Sequence, residues 1–354
     1  MVEIQELLKK ALTSEASDVH LVAGMPPLFR IHTVLEPAQG YPAMPADEIE
    51  VFCKGVLGER RFASLADKRD HDFSLQVEGL GRFRVNAHYQ RDSLAVAFRA
   101  IPNKVPELHE LNLPPVITRF VDLPRGLVLV TGQTGSGKST TLASLIDAMN
   151  HKYQYHVITL EDPMEYELRN DLCVIEQREV GSDVPTFASG LRHALRQDPD
   201  IILVGEMRDL ETTSAAITAA ETGHLVLSTL HTQNASQTIE RIIDIYPAEQ
   251  QNQIRSMLSN TLQAVVSMTL FKRQDVAGMV PGCEVMLCNP AVRSCVRENR
   301  IHEIPNIIAT NRRVGMQTLD ESIKALYLNG LITQEQAIAR AVHPESLGRA
   351  IQAA

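Results

Sequence analysis

Gly132-Gln133-Thr134-Gly135-Ser136-Gly137-Lys138-Ser139 fits the G-x-x-x-x-G-K-[ST] pattern of a phosphate-binding loop. It stands between an apolar run at 126–130, which predicts a buried strand, and residues 140–149, whose spacing predicts a helix. In such a unit the glycines let the backbone wrap around an anion, while amide N–H groups and the helix N-terminus point at it. The stretch therefore predicts an α/β fold that binds a nucleoside triphosphate.

The side chains of this loop have distinct expected roles. Lys138 reaches the β- and γ-phosphate oxygens, and the hydroxyl of Ser139 is suited to hold Mg²⁺. A glycine-rich turn without a ligand is the alternative, but the fixed positions and the flanking elements favour a site with ATP and Mg²⁺. The predicted nucleotide-binding residues are Gly132, Thr134, Gly135, Ser136, Gly137, Lys138, Ser139 and Thr140.

Composition is that of an ordinary globular protein. The chain has 354 residues, enough for two domains, of which 44% are hydrophobic and 22% charged. No apolar run approaches the ~18 residues of a transmembrane segment and the N-terminus lacks a signal-peptide pattern, so we expect a cytoplasmic protein. A net charge of −9 disfavours nucleic acid as a partner. Five cysteines without a C-x-x-C pair argue against disulfides and against a cysteine-rich zinc site.

Residues 1 to about 100 predict a small α+β domain. Helical spacing covers 2–12, two short helices are expected within 47–66, and strands are expected at 18–22 and 28–31. The clearest period-2 pattern covers 82–89 and 94–99 and predicts a hairpin that turns at Arg91-Asp92.

The register of this hairpin brings two like charges together. It pairs Tyr89 with Leu94 on the apolar face and places Arg84 opposite Arg99 on the other face. Opposed like charges destabilise a sheet, so the two arginines suggest a shared anion. Two solvated arginines on an exposed surface are the alternative.

A Pro-rich segment at 101–115 predicts an interdomain linker, and from 116 onward predicted strands and helices alternate. This alternation predicts a sheet covered by helices on both faces. The predicted strands are 127–130, 156–160, 201–204 and 225–228, and the predicted helices are 187–196 and 211–221. From about 290 we expect helices at 290–298 and 316–328 and a last helix that begins with a capping box at 333–336.

Acidic and histidine side chains follow the predicted strands, where ligands of open α/β sheets bind. Glu206 comes after Gly205 and is the candidate to polarise the attacking water or to hold the metal's water shell, with Glu161 as a second acid. His231 could bond the γ-phosphate. Asp200 precedes its strand, more than about 10 Å from the other end, so it should not touch phosphate. Solvated loop carboxylates and a histidine that merely ends a strand are the alternatives.

Four stretches resemble the nucleotide boxes of secretion-superfamily ATPases. The phosphate loop matches Walker A, and 159–165, 200–209 and 222–231 match the Asp box, Walker B and His box in that order. Within this superfamily the chain resembles the PilT family of type IV pilus retraction ATPases over nearly its whole length, for example in Gly315-Met-Gln-Thr-Leu-Asp320. Ala291-Val-Arg-Ser-Cys-Val-Arg-Glu298 is similar to that family's AIRNLIRE motif but departs from it at 294–296.

The resemblance implies a PAS-like N-terminal domain, a RecA-like ATPase domain from about 116, and a homo-hexamer. It implies an ATP-hydrolysing motor for pilus retraction and twitching motility, peripheral at the inner membrane, with the pilus platform protein as partner. Nucleotide would lie between the domains and contact Arg84, Arg99, His224 and His231. The implied metal site contains Ser139, Glu161 and Glu206, and the implied coupling motif contains Ala291, Arg293, Arg297 and Glu298.

Three other functions stay open at this point. A pilus assembly or type II secretion ATPase is the first, although such relatives usually carry a tetracysteine zinc module and an extra N-terminal domain, which we do not expect here. A nucleotide-gated regulatory module with little turnover is the second. A DNA-translocating ATPase is the third, with salt-dependent DNA binding as its signature.

Overall fold

Strands of the described residues form two sheets, one antiparallel and one mostly parallel. The computed structural model describes residues 3–31, 34–102 and 104–352. The chain divides into two compact units, with the boundary between Lys104 and Val105. The short segment Glu165–Glu167 belongs to the first unit.

In its described residues the first unit contains the antiparallel sheet and helices α1 (Ile4–Thr13) and α2 (Ala46–Lys68). Its strands are β1 (Asp18–Val22), β2 (Leu28–Ile31), β3 (Val34–Pro37), β4 (Asp70–Val77), β5 (Gly81–Gln90) and β6 (Ser93–Ala100). The strand order is β3-β2-β1-β6-β5-β4. Gly58 has a non-helical backbone and splits α2, which confirms two short helices in this segment.

The hairpin of β5 and β6 has the predicted register. Tyr89 pairs with Leu94, and Arg84 lies opposite Arg99. The alternate side chains on the other face are buried against residues of both helices: Phe83, Val85, Ala87, Val96 and Phe98 pack with Leu7, Leu8, Ile49 and Leu65. Burial of this apolar set in one core fixes the register, since a slip by one residue would expose it.

The second unit contains the mostly parallel sheet and the remaining helices. Its strands are β7 (Gly126–Thr131), β8 (His156–Glu161), β9 (Val174–Glu179), β10 (Ile201–Val204), β11 (Leu225–Leu230), β12 (Leu262–Lys272) and β13 (Met279–Leu287). Its helices are α3 (Lys138–Asn150), α4 (Phe187–Ala194), α5 (Leu210–Glu221), α6 (Ala235–Asp244), α7 (Ala248–Thr261), α8 (Pro290–Arg297), α9 (Ile304–Thr310), α10 (Leu319–Leu328), α11 (Gln334–Arg340) and α12 (Pro344–Gln352). Short 3-10 helices span Pro115–Asp122, Ile301–Glu303 and Arg312–Val314.

The sheet of the second unit has the order β13-β12-β7-β11-β10-β8-β9. All neighbours are parallel except β12 and β13. Every residue of β7, β10 and β11 is buried, as expected for parallel strands covered on both faces. The predicted α/β fold class is confirmed. Because the strands are parallel, the segments that follow β7, β8, β10 and β11 all leave the sheet at the carboxyl ends of these strands.

Sequence reasoning missed β3, β4, β9, β12 and β13. In β9 the run Glu176-Gln-Arg-Glu179 is polar because this strand lies at the edge of the sheet. Strand β12 begins at Leu262, directly after the last residue of α7, so no turn signal separates the two elements. An apolar run of this kind has no clear period and cannot be distinguished from a buried helix by pattern alone.

Candidate functional site

The phosphate loop has the predicted strand–loop–helix geometry. Strand β7 ends at Thr131, and α3 begins at Lys138 with Gly137 as its N-cap. Gly132 has φ 138°, and a Cβ there would lie 2.3 Å from the carbonyl oxygen of Met268 on β12. Only glycine fits where the loop crosses this neighbouring strand. The turn into the loop is therefore specified by packing as well as by the ligand.

Two buried polar groups of the loop fit an anionic ligand. Nζ of Lys138, a residue only 8% exposed, donates to the carbonyl oxygens of Gly132 at 2.9 Å and Gln133 at 3.0 Å. Oγ of Ser136 is buried without a hydrogen-bond partner among the described residues. A buried hydroxyl without a partner is costly, and a phosphate oxygen would satisfy it. With the amide groups at the start of α3, these atoms fit a nucleotide phosphate.

Glu206 stands on a backbone that is fixed from both sides. The amide of Gly205 donates to the carbonyl of Leu160 on β8 at 2.8 Å, and the hydroxyl of Thr229 on β11 donates to the carbonyl of Gly205 at 2.6 Å. The amide of Met207 donates to the carbonyl of Thr229 at 3.2 Å. A Cβ at Gly205 would lie 3.2 Å from the carbonyl oxygen of Leu160, so an aspartate fits poorly there and the acid comes one residue later.

The side chain of Glu206 contacts two basic side chains through one oxygen. Its Oε2 lies 3.3 Å from Nε2 of His231 and 2.6 Å from Nε of Arg208. The structure thus brings together the two predicted residues Glu206 and His231. They line a cavity of about 220 Å³ together with Arg208 and Arg241. The motif 200–209 contains Arg208, but its role as a partner of Glu206 was not predicted.

Glu161 also lies at the carboxyl end of its strand, but farther from the phosphate loop than Glu206. It ends β8, which is separated from β7 by β11 and β10, so three inter-strand spacings of about 4.8 Å place it roughly 14 Å from the strand that leads into the phosphate loop. Its Oε1 accepts from Oγ1 of Thr159 at 2.6 Å and from Nε2 of Gln177 at 3.0 Å. Of the two predicted acids, Glu206 is one strand closer to the loop.

His224 does not lie with the phosphate loop of its own chain. It precedes β11, and its carbonyl accepts from the amide of Gly126, the first residue of β7, whereas the loop follows the other end of β7. A strand of this length spans roughly 18 Å at about 3.3 Å per residue. Within one chain His224 therefore lies far from the phosphate loop, because the His box spans both ends of β11, and its contact with nucleotide stays a prediction.

A separate cavity of about 310 Å³ lies near His224, at the amino ends of the strands. Tyr155, Asp200 and His224 line part of it. Oδ2 of Asp200 accepts from the amide of His156, the first residue of β8, at 2.8 Å. The prediction that Asp200 lies away from the phosphate loop is confirmed.

Comparisons with known proteins agree with this geometry. The chain matches the type II/IV secretion system protein family over residues 2–340. The chain belongs to that family. It is 44% identical to the type IV pilus retractation ATPase PilT of Pseudomonas aeruginosa, over 98% of this chain and 100% of that one. It is 42% identical to a twitching motility protein of Neisseria gonorrhoeae, over 97% and 92% of the two chains.

A solved structure extends the similarity to the fold. The crystal structure of the pilus retraction motor PilT with bound ADP superposes with a TM-score of 0.93 at 42% identity, covering 99% of this chain and 100% of that chain. The predicted resemblance to secretion ATPases and the pilus retraction branch is thereby confirmed.

In this secretion-family chain the two hairpin arginines have different surroundings. Nε of Arg99 lies 2.8 Å from Oδ1 of Asp18, which stands opposite it on β1. Arg84 is exposed, and the described residues provide no ion pair for it. The sequence predicted an anion shared by both arginines, but a carboxylate of the protein already pairs with Arg99. The hairpin pattern could not reveal this, because β1 is distant in sequence.

Residues 291–297 of the motif lie in helix α8, and Glu298 is the C-cap of this helix. The side chain of Asn289 caps the N-terminus of α8. Arg293 is half-buried, and its Nη1 donates to the carbonyls of Ser259 at 2.5 Å and Asn260 at 2.9 Å in the last turn of α7. Arg297 is exposed, as are Ala291 and Glu298. The two motif arginines therefore do different things: Arg293 holds two helices together, and Arg297 faces solvent.

Neither a metal cluster nor a membrane-spanning helix is found within 3–31, 34–102 and 104–352. No group of three or more His, Cys, Asp or Glu side chains there could hold a metal ion, and no helix is both long and apolar enough to span a membrane. Mg²⁺ at nucleotide sites usually keeps several waters and takes one or two protein ligands plus phosphate oxygens. Ser139, the second residue of α3, fits such a ligand.

Proposed function

We propose that this chain is an ATPase that hydrolyses ATP to ADP and phosphate and uses the energy to retract type IV pili. The observation that carries the proposal is its similarity to the pilus retractation ATPase PilT over 98% of the chain. The phosphate loop, and Glu206 with His231 beside it, support ATP hydrolysis as the reaction.

Residues of the second unit have separate roles in the proposed reaction. Lys138 and the amide groups at the start of α3 bind the phosphates, and Ser139 holds Mg²⁺, which neutralises phosphate charge when it is bound. Glu206 accepts a proton from the attacking water, and His231 hydrogen-bonds the same carboxylate and the γ-phosphate. Glu161 serves as a second acid beside the metal.

The motor proposal includes an assembly and a partner. The chain forms a homo-hexamer at the cytoplasmic face of the inner membrane and acts on the pilus platform protein there. Arg84 and Arg99 of the first unit assist nucleotide binding, and the exposed residues of the 291–298 motif transmit the motion. The names of the relatives support pilus retraction as the output, since they describe those proteins as a retraction ATPase and a twitching motility protein.

Steady-state phosphate release by the purified protein tests the enzymatic proposal. We expect Mg²⁺-dependent hydrolysis that EDTA stops and that Lys138→Ala abolishes. A protein that binds ATP with micromolar affinity but releases no phosphate above background would instead be a nucleotide-gated module, and the motor proposal would be abandoned.

A further inference from the structure

A charged residue outside the predicted set contacts the candidate base. Nε of Arg208 lies 2.6 Å from Oε2 of Glu206, so the two side chains form a close ion pair. Nε2 of His231 approaches the same oxygen at 3.3 Å. Within the described part of the chain, both of these contacts of the Glu206 carboxylate fall on Oε2.

The backbone around Arg208 is as fixed as that of Glu206. Met207, on one side, donates to the carbonyl of Thr229 on β11. Asp209, on the other side, is the N-cap of α5, and its carboxylate accepts from the amide of Thr212 at 2.8 Å and from its hydroxyl at 2.9 Å. Arg208 therefore projects from a segment anchored at both ends.

Exposure indicates the side from which the arginine approaches. The side chain of Arg208 is 71% exposed, whereas that of Glu206 is 16% exposed. The arginine is therefore much more exposed to solvent than the carboxylate with which it pairs through Oε2.

We infer that Arg208 is a positioning residue, which holds Oε2 of Glu206 so that Oε1 receives the proton of the attacking water. The inference rests on the proposed function, in which Glu206 is the general base. A glutamate side chain has three rotatable bonds and samples several staggered rotamers when nothing holds it. Loss of the arginine lowers the fraction of protein with Oε1 correctly oriented, while the phosphate loop is untouched.

The test compares Arg208→Gln, Arg208→Lys and wild type. Arg208→Gln should lower kcat about tenfold, because the carboxylate loses its charged partner. KM for ATP, the affinity for a fluorescent ATP analogue and the midpoint of thermal unfolding should stay near the wild-type values. Arg208→Lys should recover most of kcat, because an ammonium group can donate to Oε2.

A matched control is Arg192→Gln. Arg192 is also an exposed arginine that pairs with a glutamate, Glu211, but its side chain lies on α4, outside the site. Its loss should leave kcat unchanged. If Arg192→Gln lowers kcat as much as Arg208→Gln does, the effect is a general one of surface charge and the inference is wrong.

Glu206→Gln, alone and combined with Arg208→Gln, separates this inference from the proposed function. The double variant should be no slower than Glu206→Gln, because Arg208 acts through the carboxylate. Should Glu206→Gln hydrolyse ATP like wild type, the proposed role of Glu206 fails. If Glu206→Gln is inactive but Arg208→Gln keeps the wild-type kcat or exceeds it, only the positioning role fails. A change in KM alone would also overturn it, since Arg208 would then bind nucleotide directly.

Discussion

At the scale of single residues, we expect nucleotide binding and hydrolysis to depend on different side chains. Lys138 lies within the loop, whereas Glu206 stands beyond β10. Lys138→Ala should lose nucleotide affinity, because it removes the charge that reaches the phosphates. Glu206→Gln should bind ATP and stall, because it keeps the shape of the side chain but removes the base, typically a loss of ~10²–10⁴-fold in rate.

Equilibrium binding and steady-state hydrolysis check this pair of variants. Glu249→Gln is a suitable control, since Glu249 is an exposed acid in the first turn of α7 and should leave both quantities unchanged. Hydrolysis by Glu206→Gln within about threefold of wild type would remove Glu206 from the mechanism.

The cysteines allow a second prediction at this scale. All five are buried and unpaired, and burial raises the pKa of Cys53 and Cys283 to about 12 and that of Cys288 to about 11. A raised pKa keeps the thiol protonated at neutral pH, so these thiols should alkylate on the order of 10³-fold more slowly than free cysteine, whose pKa is near 8.5. Iodoacetamide labelling at pH 7.5 followed by mass spectrometry checks this, with urea-unfolded protein as the control. Rapid labelling of any of the three in native protein would contradict it.

At the scale of elements, the β5–β6 hairpin carries the arginine prediction. Arg84→Ala and Arg99→Ala should both preserve the fold, because the buried face of the hairpin is untouched. Each should weaken ATP turnover through the loss of charge-assisted bonds to phosphate. Arg99→Ala also removes the ion pair with Asp18, so Arg84→Ala is the cleaner variant.

Circular dichroism and phosphate release measure the two effects, and Arg61→Ala, an exposed arginine on α2, is the control. Normal hydrolysis by both hairpin variants would mean that this face of the sheet is only a solvated surface.

Helix α8 provides a prediction about stability. Arg293→Ala removes two charged hydrogen bonds to the last carbonyls of α7 and should lower the free energy of unfolding by about 1–2 kcal/mol. Arg297→Ala should change it by less than about 0.5 kcal/mol, because Arg297 is exposed. Urea denaturation measures both, and equal losses would contradict the division of roles. Of the two, only Arg297→Ala then tests coupling to retraction without a change in stability.

The elements also mark how far sequence reasoning reaches in this chain. Strands with strong apolar runs, such as Ile201–Val204, and the register of Arg84 with Arg99 were predicted correctly, since local pattern decides them. The partners of these residues were not predictable in the same way. Asp18 meets Arg99 through a strand 81 residues away, and the pairing of Arg208 with Glu206 depends on side-chain geometry within a loop.

At the scale of the whole molecule, the parallel sheet brings residues of distant sequence boxes to the same end of the sheet. Strands β7 to β12 all run parallel, so the segments after β7, β8, β10 and β11 lie at one end of the sheet, where Glu206 and His231 come together. The same topology separates residues at opposite ends of one strand. His224 and His231 belong to one sequence box, but they lie at opposite ends of β11 for this reason.

Imaging of labelled pili in living cells tests the central claim, that ATP hydrolysis by this chain retracts pili. Cells without the gene should carry more pili than wild type and show no retraction. Wild-type protein should restore retraction, and Glu206→Gln should not, although it is produced at the same level. Loss of pili on deletion would instead assign the chain to pilus assembly, and normal retraction without the gene would contradict the account.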